Sequence, residues 1–202
     1  GEDKVVWRYD PILLTKEIDI AYHEKYFDVL ARKLSGYTNK CIISFIDLYT
    51  KTERNMKDIN REHIDNEKML IIGRKLSQIA KKYNLVIETC SEIIDLSSVG
   101  IHHAKCIDDS LISSIVGQDL DIRKDKNQRK ICGCVTSVDI GAYNTCKHGC
   151  TYCYANFSHK TLINNIQKHD INSPMLIGNI EDADKITERV MESYLSNQVS
   201  LF

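Results

Sequence analysis

The sequence predicts a mixed α/β protein built on a parallel sheet, which we interpret as part of a (β/α) barrel. Short apolar runs typical of buried strands recur along the first half of the chain at intervals too long for hairpins. Amphipathic helical patterns lie between them, and this alternation is typical of a parallel sheet covered by helices. Only three such units are visible, fewer than a closed barrel needs. We therefore expect an N-terminally truncated chain or an excised fragment.

The predicted elements follow in chain order. Strands are expected at 4–8, 41–48 and 85–90, with a helix before Gly36 and a longer one from 69 to 83. Beyond residue 91 we expect helices at 109–116, 159–167 and 182–195, the last with Ile186, Val190 and Tyr194 on one face. Residues 119–130 are charged and predict a loop. The predicted domains are a partial barrel over 1–118 and a cysteine-rich region of loops and helices over 119–202.

Composition limits the classes of function. The net charge of −1 gives no broad electrostatic reason to expect nucleic acid or an anionic membrane as a partner. No apolar run is long enough for a transmembrane helix, so no membrane association is expected. Eight cysteines are too sparse for a disulfide scaffold, and their close spacing favours metal binding in a reducing compartment. We expect a cytoplasmic protein.

The most informative feature is a C-x3-C-x2-C spacing formed by Cys146, Cys150 and Cys153. Structural zinc normally takes four protein ligands. An iron–sulfur cubane held by three cysteines keeps one iron open for an exchangeable ligand, which is where chemistry could occur. The alternative is a zinc knuckle completed by His148 or by a distant cysteine.

This stretch resembles the cluster loop of radical S-adenosylmethionine enzymes, and especially the branch that contains spore photoproduct lyase. The resemblance is carried by the run Tyr143-Asn144-Thr145-Cys146-Lys147-His148-Gly149-Cys150-Thr151-Tyr152-Cys153-Tyr154-Ala155. It implies a [4Fe-4S] cluster on the three cysteines and S-adenosylmethionine on the open iron, with Tyr152 close to its adenine. It also implies a small electron donor such as a flavodoxin or a ferredoxin as partner.

A longer resemblance covers the chain from about Val5 to its last residues. It is similar to family 1848 of the domains of unknown function, whose C-terminal cysteines have been likened to the radical S-adenosylmethionine loop. The residues that carry it are Val6-Trp7-Arg8-Tyr9-Asp10-Pro11-Ile12-Leu13, Ser44-Phe45-Ile46-Asp47-Leu48-Tyr49, and Gln128-Arg129-Lys130 followed by Cys132-Gly133-Cys134. The resemblance implies an architecture rather than an activity.

Four further cysteines predict a second metal site. Cys90 ends a predicted strand, where ligands collect in parallel sheets, and could meet Cys106, Cys132 and Cys134. Four thiolates would satisfy either a second iron–sulfur cluster or a structural zinc. The alternative is that one or two of them are unliganded and buried. Cys41 begins a strand at the opposite end of the sheet and is interpreted as a small core residue.

Ionisable residues near the carboxyl ends of strands are candidates for catalysis or for binding substrate or S-adenosylmethionine. They are Asp10, Asp47 and Glu88. Glu88 and Cys90 should share one side of their strand. The competing interpretations are local, since Asp10-Pro11 also suits a turn and Asp47 could cap the following loop.

A basic stretch adjoins the cysteines, and it predicts either a solvated loop or contact with phosphate groups, including those of nucleic acid. Its residues are Arg123, Lys124, Lys126, Arg129 and Lys130. The paired His102 and His103 are a further, weaker source of metal ligands.

The sequence thus predicts an iron–sulfur enzyme of the radical S-adenosylmethionine type, acting on an unidentified substrate. The alternatives are an electron-transfer protein with two clusters and a zinc-stabilised module that binds a partner or nucleic acid.

Overall fold

A computed structural model describes residues 1–48 and 50–196, so Tyr49 and residues 197–202 of the stretches noted above lie outside the described residues. The chain packs as two compact units. The first contains Gly1–Asp47, Asn60–Ser137 and the described residues from Tyr194 onward, and the second contains Leu48–Ile59 and Val138–Ser193.

The protein is a mixed α/β structure with a four-stranded parallel sheet, as the sequence predicts at that level. The sheet contains β1 (Val6–Ile12), β3 (Lys40–Phe45), β5 (Val86–Thr89) and β6 (His102–His103), paired in the order β1-β3-β5-β6. A separate antiparallel pair is formed by β2 (Leu14–Thr15) and β4 (Arg61–Glu62). The helices are α1 (Ile20–Leu34), α2 (Thr50–Asn55), α3 (Asn66–Lys82), α4 (Asp109–Val116) and α5 (His159–Gln167).

The core of the first unit lies between the sheet and the helices α1 and α3. One face of β3 contributes Cys41, Ile43 and Phe45, and these pack in one cluster with residues from both helices, among them Phe27 and Leu76. Ile43 and Phe27 are fully buried. Strand, helix and parallel strand therefore repeat as expected for βαβ units whose helices cover a sheet face.

The ends of the two long helices follow from local chemistry. The carboxylate of Asp19 accepts the N–H of Tyr22 at 2.7 Å and begins α1, and Asp65 accepts the N–H of Lys68 at 2.9 Å and begins α3. The first helix ends at Leu34, two residues before Gly36, which takes a positive φ of 85°. Gly36 ends the helix as the sequence predicted.

Strand boundaries differ from the prediction at one informative place. β1 continues through Asp10 and Pro11, where the sequence also suited a turn. The register between β1 and β3 shifts between Tyr9 and Ile12. Such an irregularity accommodates a proline, which has no N–H to give to the ladder.

The fourth strand, β6, has no predicted counterpart, because its two exposed histidines carry no apolar pattern. The predicted second strand ends early, at Phe45, whose N–H donates to the side chain of Glu92 at 2.8 Å.

The predicted helix at 182–195 is wrong. Ile186 and Val190 remain 75% and 87% exposed, so the apolar face predicted for this helix has no surface to pack against, and an isolated helix of this length is marginal. The end of the segment is extended instead. The N–H of Asp121 donates to the carbonyl of Tyr194, and the N–H of Ser196 donates to that of Asp119, each at 2.8 Å.

A buried histidine joins α1 to the sheet. Nε2 of His23 lies 2.8 Å from the carbonyl oxygen of Leu13, which can only accept, so Nε2 carries the proton and Nδ1 accepts from the hydroxyl of Tyr9 at 2.8 Å. Burial lowers the pKa of His23, against the opposing effects of the Leu13 carbonyl and of Asp19.

This arrangement predicts a pH-dependent stability. Below about pH 6.5 the unfolded His23 binds a proton that the folded side chain takes up only at lower pH, so the free energy of unfolding should fall as the pH drops. His23→Gln should lose less stability than the wild type between about pH 8 and about pH 5.5 in urea titrations, because its amide can make both hydrogen bonds without titrating. Equal losses in the two proteins would contradict this assignment.

Candidate metal-binding cysteines

Two thiols meet at the carboxyl edge of the parallel sheet. Cys90 directly follows β5 and Cys106 lies just beyond β6, and their Sγ atoms are 3.0 Å apart. The N–H of Cys90 donates to the carbonyl of Ile43 in β3 at 2.9 Å, so strand pairing fixes its position. Nη1 of Arg8, from β1, donates to Sγ of Cys106 at 3.0 Å. All four strands of the sheet thus contribute to the surroundings of this pair.

The Cys132-Gly133-Cys134 segment brings two more thiols to the same place. Both cysteines are buried. Sγ of Cys134 accepts the backbone N–H of Cys106 at 3.1 Å and that of Ile107 at 3.4 Å. Ser91, directly after Cys90 in the chain, acts to lower the pKa values of both Cys90 and Cys132. Ser91 itself has a positive φ of 55°.

The electrostatics favour the thiolate form of Cys90 and of Cys132. The hydrogen bond with Cys106 lowers the pKa of Cys90, and Arg8 and Ser91 add to that effect against the cost of burial. Burial acts to raise the pKa of Cys132, but hydrogen bonds from Cys134 and Ser91 outweigh it and the pKa is lowered. The pKa of Cys106 is raised, because it shares its proton with Cys90.

Cys41 behaves differently. It is fully buried in the core, as its position at the start of a strand predicted, and burial raises the pKa of its thiol far above the usual range. Cys41 is a packing residue.

The three predicted acids enter separate ion pairs. Asp10 accepts from Nε of Arg8 at 2.8 Å, and Asp47 pairs with Arg129 at 2.6 Å. Glu88 pairs with Lys40 at 3.0 Å rather than with a group at the cysteine cluster, although the sequence suggested that it would face the same site as Cys90.

Sequence reasoning missed Glu92. Its Oε1 accepts the N–H of Phe45 at 2.8 Å, and burial raises the pKa of this carboxyl to about 7, with smaller contributions from Asp47 and Cys90. Its position two residues after Cys90 was the only signal in the sequence. That position lies beyond the end of β5, so no strand alternation indicates where the side chain lies.

Two residues of the basic stretch, Lys124 and Arg129, make side-chain contacts within the first unit. Arg129 pairs with Asp47, and Nζ of Lys124 donates to the carbonyls of Arg129 and Lys130. At these two positions the positive charge is used in contacts within the first unit. This supports the interpretation of the basic stretch as a folded, solvated loop.

In the second unit, Asn144 closes the base of the loop that carries Cys146, Cys150 and Cys153. This buried residue has a positive φ of 56°. Its N–H donates to the carbonyl of Ala155 at 2.9 Å, and its Oδ1 accepts the N–H groups of Phe157 and Ser158 at 2.9 and 3.0 Å. Asparagine suits such a position because its short amide tolerates the left-handed region while replacing backbone hydrogen bonds.

The three cysteines are presented near the surface of this loop. Cys146 and Cys150 are exposed and Cys153 is partly exposed. Beside them, Nδ2 of Asn156 donates to the carbonyl of Cys146, while its Oδ1 is buried without a hydrogen-bond partner among the described residues. A buried acceptor left unsatisfied usually has a functional explanation.

A cavity of about 380 Å³ adjoins the loop within the second unit. That volume is in the range of small-molecule sites. Its lining consists of Thr145, Lys147, Asn165, Ile166, His169 and Leu176. Thr145 and Lys147 flank Cys146 in the chain, so the cavity lies next to a predicted ligand.

Across residues 1–48 and 50–196, no three His, Cys, Asp or Glu side chains are already placed around one metal position. All eight cysteines are free thiols, so none of the predicted ligands is consumed by a disulfide.

The role of Asn144 can be tested by proteolysis. Asn144→Ala removes two hydrogen bonds and places alanine in a left-handed conformation, so the loop should open more easily by about 1–3 kcal/mol. Tryptic cleavage after Lys147, in the metal-free protein, should accelerate roughly tenfold. Asn164→Ala, on the exposed side of α5, is the matched control. Unchanged cleavage in Asn144→Ala would show that the loop is held by other contacts.

The described helices include none that is long and apolar enough to cross a membrane. No curated protein and no solved structure matches the chain. A family profile described as "Domain of unknown function (DUF1848)" matches residues 1–155, which include the sheet, the Cys-Gly-Cys segment and all three loop cysteines. The chain therefore belongs to the DUF1848 family.

Proposed function

We propose that this protein is an iron–sulfur enzyme of the radical S-adenosylmethionine type, in which Cys146, Cys150 and Cys153 hold a [4Fe-4S] cluster. The observation that carries the proposal is that one closed loop presents three free, accessible thiols. Thiolates are the usual ligands of such clusters, and three of them leave one iron open. In this proposal the parallel sheet is a segment of a (β/α) barrel and the cysteine-rich part is its cluster region.

The donor set fits a cluster better than it fits a closed zinc site. Cys146 and Cys150 are exposed, so a preformed cluster can reach them without unfolding the chain. Asn144 ties the two ends of the loop together, which limits how far the three thiols can separate. His148 is exposed and stands between two of the cysteines, where simultaneous coordination with both neighbours would be strained.

The surroundings of the loop supply the features that a small polar ligand would need. The adjoining cavity offers the ammonium of Lys147 and the polar groups of Asn165 and His169 as partners for a carboxylate or for hydroxyls. Tyr152 is 38% exposed, and in this proposal its ring would lie against the adenine.

When a reduced cluster is bound, it supplies one electron for cleaving a carbon–sulfur bond of S-adenosylmethionine. The chain's own residues would bind and orient that ligand and exclude water from it. The electron would come from a small donor such as a flavodoxin or a ferredoxin. A reducing location such as the cytoplasm is consistent with eight free thiols.

The cluster is tested by anaerobic reconstitution. The protein should bind iron and sulfide and show charge-transfer absorption near about 400 nm, because thiolate ligates iron. Cys150→Ala should lose this absorption, because the variant lacks one of the three thiolate ligands of the cluster. Thr151→Ala, in the same loop, should keep it. Stoichiometric zinc at these cysteines, without iron or sulfide, would refute the proposal in favour of a zinc-stabilised module.

The chemistry is tested separately. Reduced protein shown to hold its cluster should convert S-adenosylmethionine slowly to 5′-deoxyadenosine and methionine without added substrate. The paramagnetic resonance spectrum of the reduced cluster should also change when S-adenosylmethionine is added, since the ligand would occupy the open iron. A loaded cluster that neither changes its spectrum nor cleaves the compound would favour electron transfer. Radical S-adenosylmethionine enzymes usually contact the amino group of that ligand with a Gly-Gly-Glu run. The given sequence has no such run after Cys153, and this supports the second candidate.

A further inference from the structure

We propose that Cys90, Cys106, Cys132 and Cys134 form a second metal centre that binds a single zinc ion through four thiolates. This site lies in the first unit, at the carboxyl edge of the parallel sheet. It is separate in sequence and in residues from the loop of Cys146, Cys150 and Cys153, and it does not depend on the function proposed above.

Contacts link three of the four cysteines directly. Cys90 and Cys106 approach to 3.0 Å between sulfurs. Sγ of Cys134 accepts the N–H of Cys106 at 3.1 Å, and Cys132, two residues before Cys134 in the chain, is buried as Cys134 is. No three of these described side chains already surround one metal position, so zinc would draw the sulfurs together on binding.

The spacing favours one metal ion over a cubane. With zinc–sulfur bonds of about 2.3 Å, tetrahedral geometry places the sulfurs about 3.8 Å apart. The sulfurs of Cys90 and Cys106, at 3.0 Å, would have to separate by less than about 1 Å to reach that value. The thiolates of a cubane bind different iron atoms and stand considerably further apart, so the observed spacing is closer to that of a single ion.

The groups around the sulfurs are those that support a metal thiolate. Backbone N–H groups of Cys106 and Ile107 donate to Sγ of Cys134, which orients that ligand and stabilises its negative charge. Zinc with four thiolates carries two net negative charges, and the guanidinium of Arg8, bonded to Cys106, offsets part of them.

Two of the ligands are also held by their own backbone. Cys90 is bonded to Ile43 in β3, and the carbonyl of Cys134 accepts the N–H of Asp125 at 3.0 Å. The next residue, Val135, donates to the carbonyl of Ile107 at 3.2 Å. Between the two cysteines, a Cβ added at Gly133 would lie 3.1 Å from Cγ of Lys105, so glycine allows this close approach. A metal here would join β5, β6 and the later segment, and its binding energy would add to the stability of the fold.

The decisive experiment uses the Cys146→Ala/Cys150→Ala/Cys153→Ala triple variant, which lacks the other cysteine cluster. Purified in the presence of zinc, it should retain one zinc ion per chain after dialysis. X-ray absorption should show sulfur-only coordination with about four zinc–sulfur distances near about 2.3 Å. Titration with an organomercurial that blocks thiols should release the zinc to a coloured chelator.

Controls separate this site from other cysteines. Cys132→Ser/Cys134→Ser in the same background should lose the zinc, whereas Cys41→Ala should keep it because Cys41 is a core residue. The organomercurial titration does not require the serine variant to fold. Any of four results would overturn the proposal. They are a folded triple variant without metal, zinc bound through nitrogen or oxygen, iron with sulfide on these four residues, and a Cys90–Cys106 disulfide in the freshly purified protein. None of these results bears on cluster binding by Cys146, Cys150 and Cys153.

Discussion

The register of the central strand β3 is the constraint on which the sheet edge depends. Cys41, Ile43 and Phe45 are buried on one face of this strand, in the core cluster, and Ile42 is buried on the other face. If the pairing of β3 slipped by one residue, the two faces would be exchanged and these three side chains would leave the core. Pairing with β1 and β5 on either side then sets the level at which each strand ends. The backbone positions of Arg8, within β1, and of Cys90, directly after β5, follow from this pairing.

The two groups of cysteines occupy physically different environments. Cys132 and Cys134 are buried and Cys134 receives backbone N–H groups, whereas Cys146 and Cys150 stand exposed on a loop. Buried thiols with fixed donors suit an ion that is held permanently. Exposed thiols beside a cavity suit a centre that must exchange a ligand. The two proposals therefore assign structural metal binding and reactivity to different groups of cysteines.

The sequence was sufficient where a repeating pattern was supported by packing. The parallel sheet and the two long helices follow from apolar periodicity, and the position of Cys90 at the sheet edge follows from the rule that parallel strands end at one edge. It was insufficient where a single contact decides the outcome. No pattern indicates that Glu92 reaches back to Phe45, that Glu88 turns to Lys40, or that residues 194–196 pair with 119–121 and leave no helix there. Such interactions join residues far apart in sequence and need the coordinates.

Helix α5 is attached to the base of the three-cysteine loop at two points. Ser158, whose hydroxyl begins the helix, gives its N–H to Oδ1 of Asn144, and two residues before the helix ends Asn165 donates to the carbonyl of Asn144 at 3.2 Å. Loop and helix thus share their hydrogen bonds and should fluctuate as one cooperative segment. Any ligand that orders the cysteines would also reduce the fluctuations of α5, including those of the exposed face of the helix that does not line the cavity.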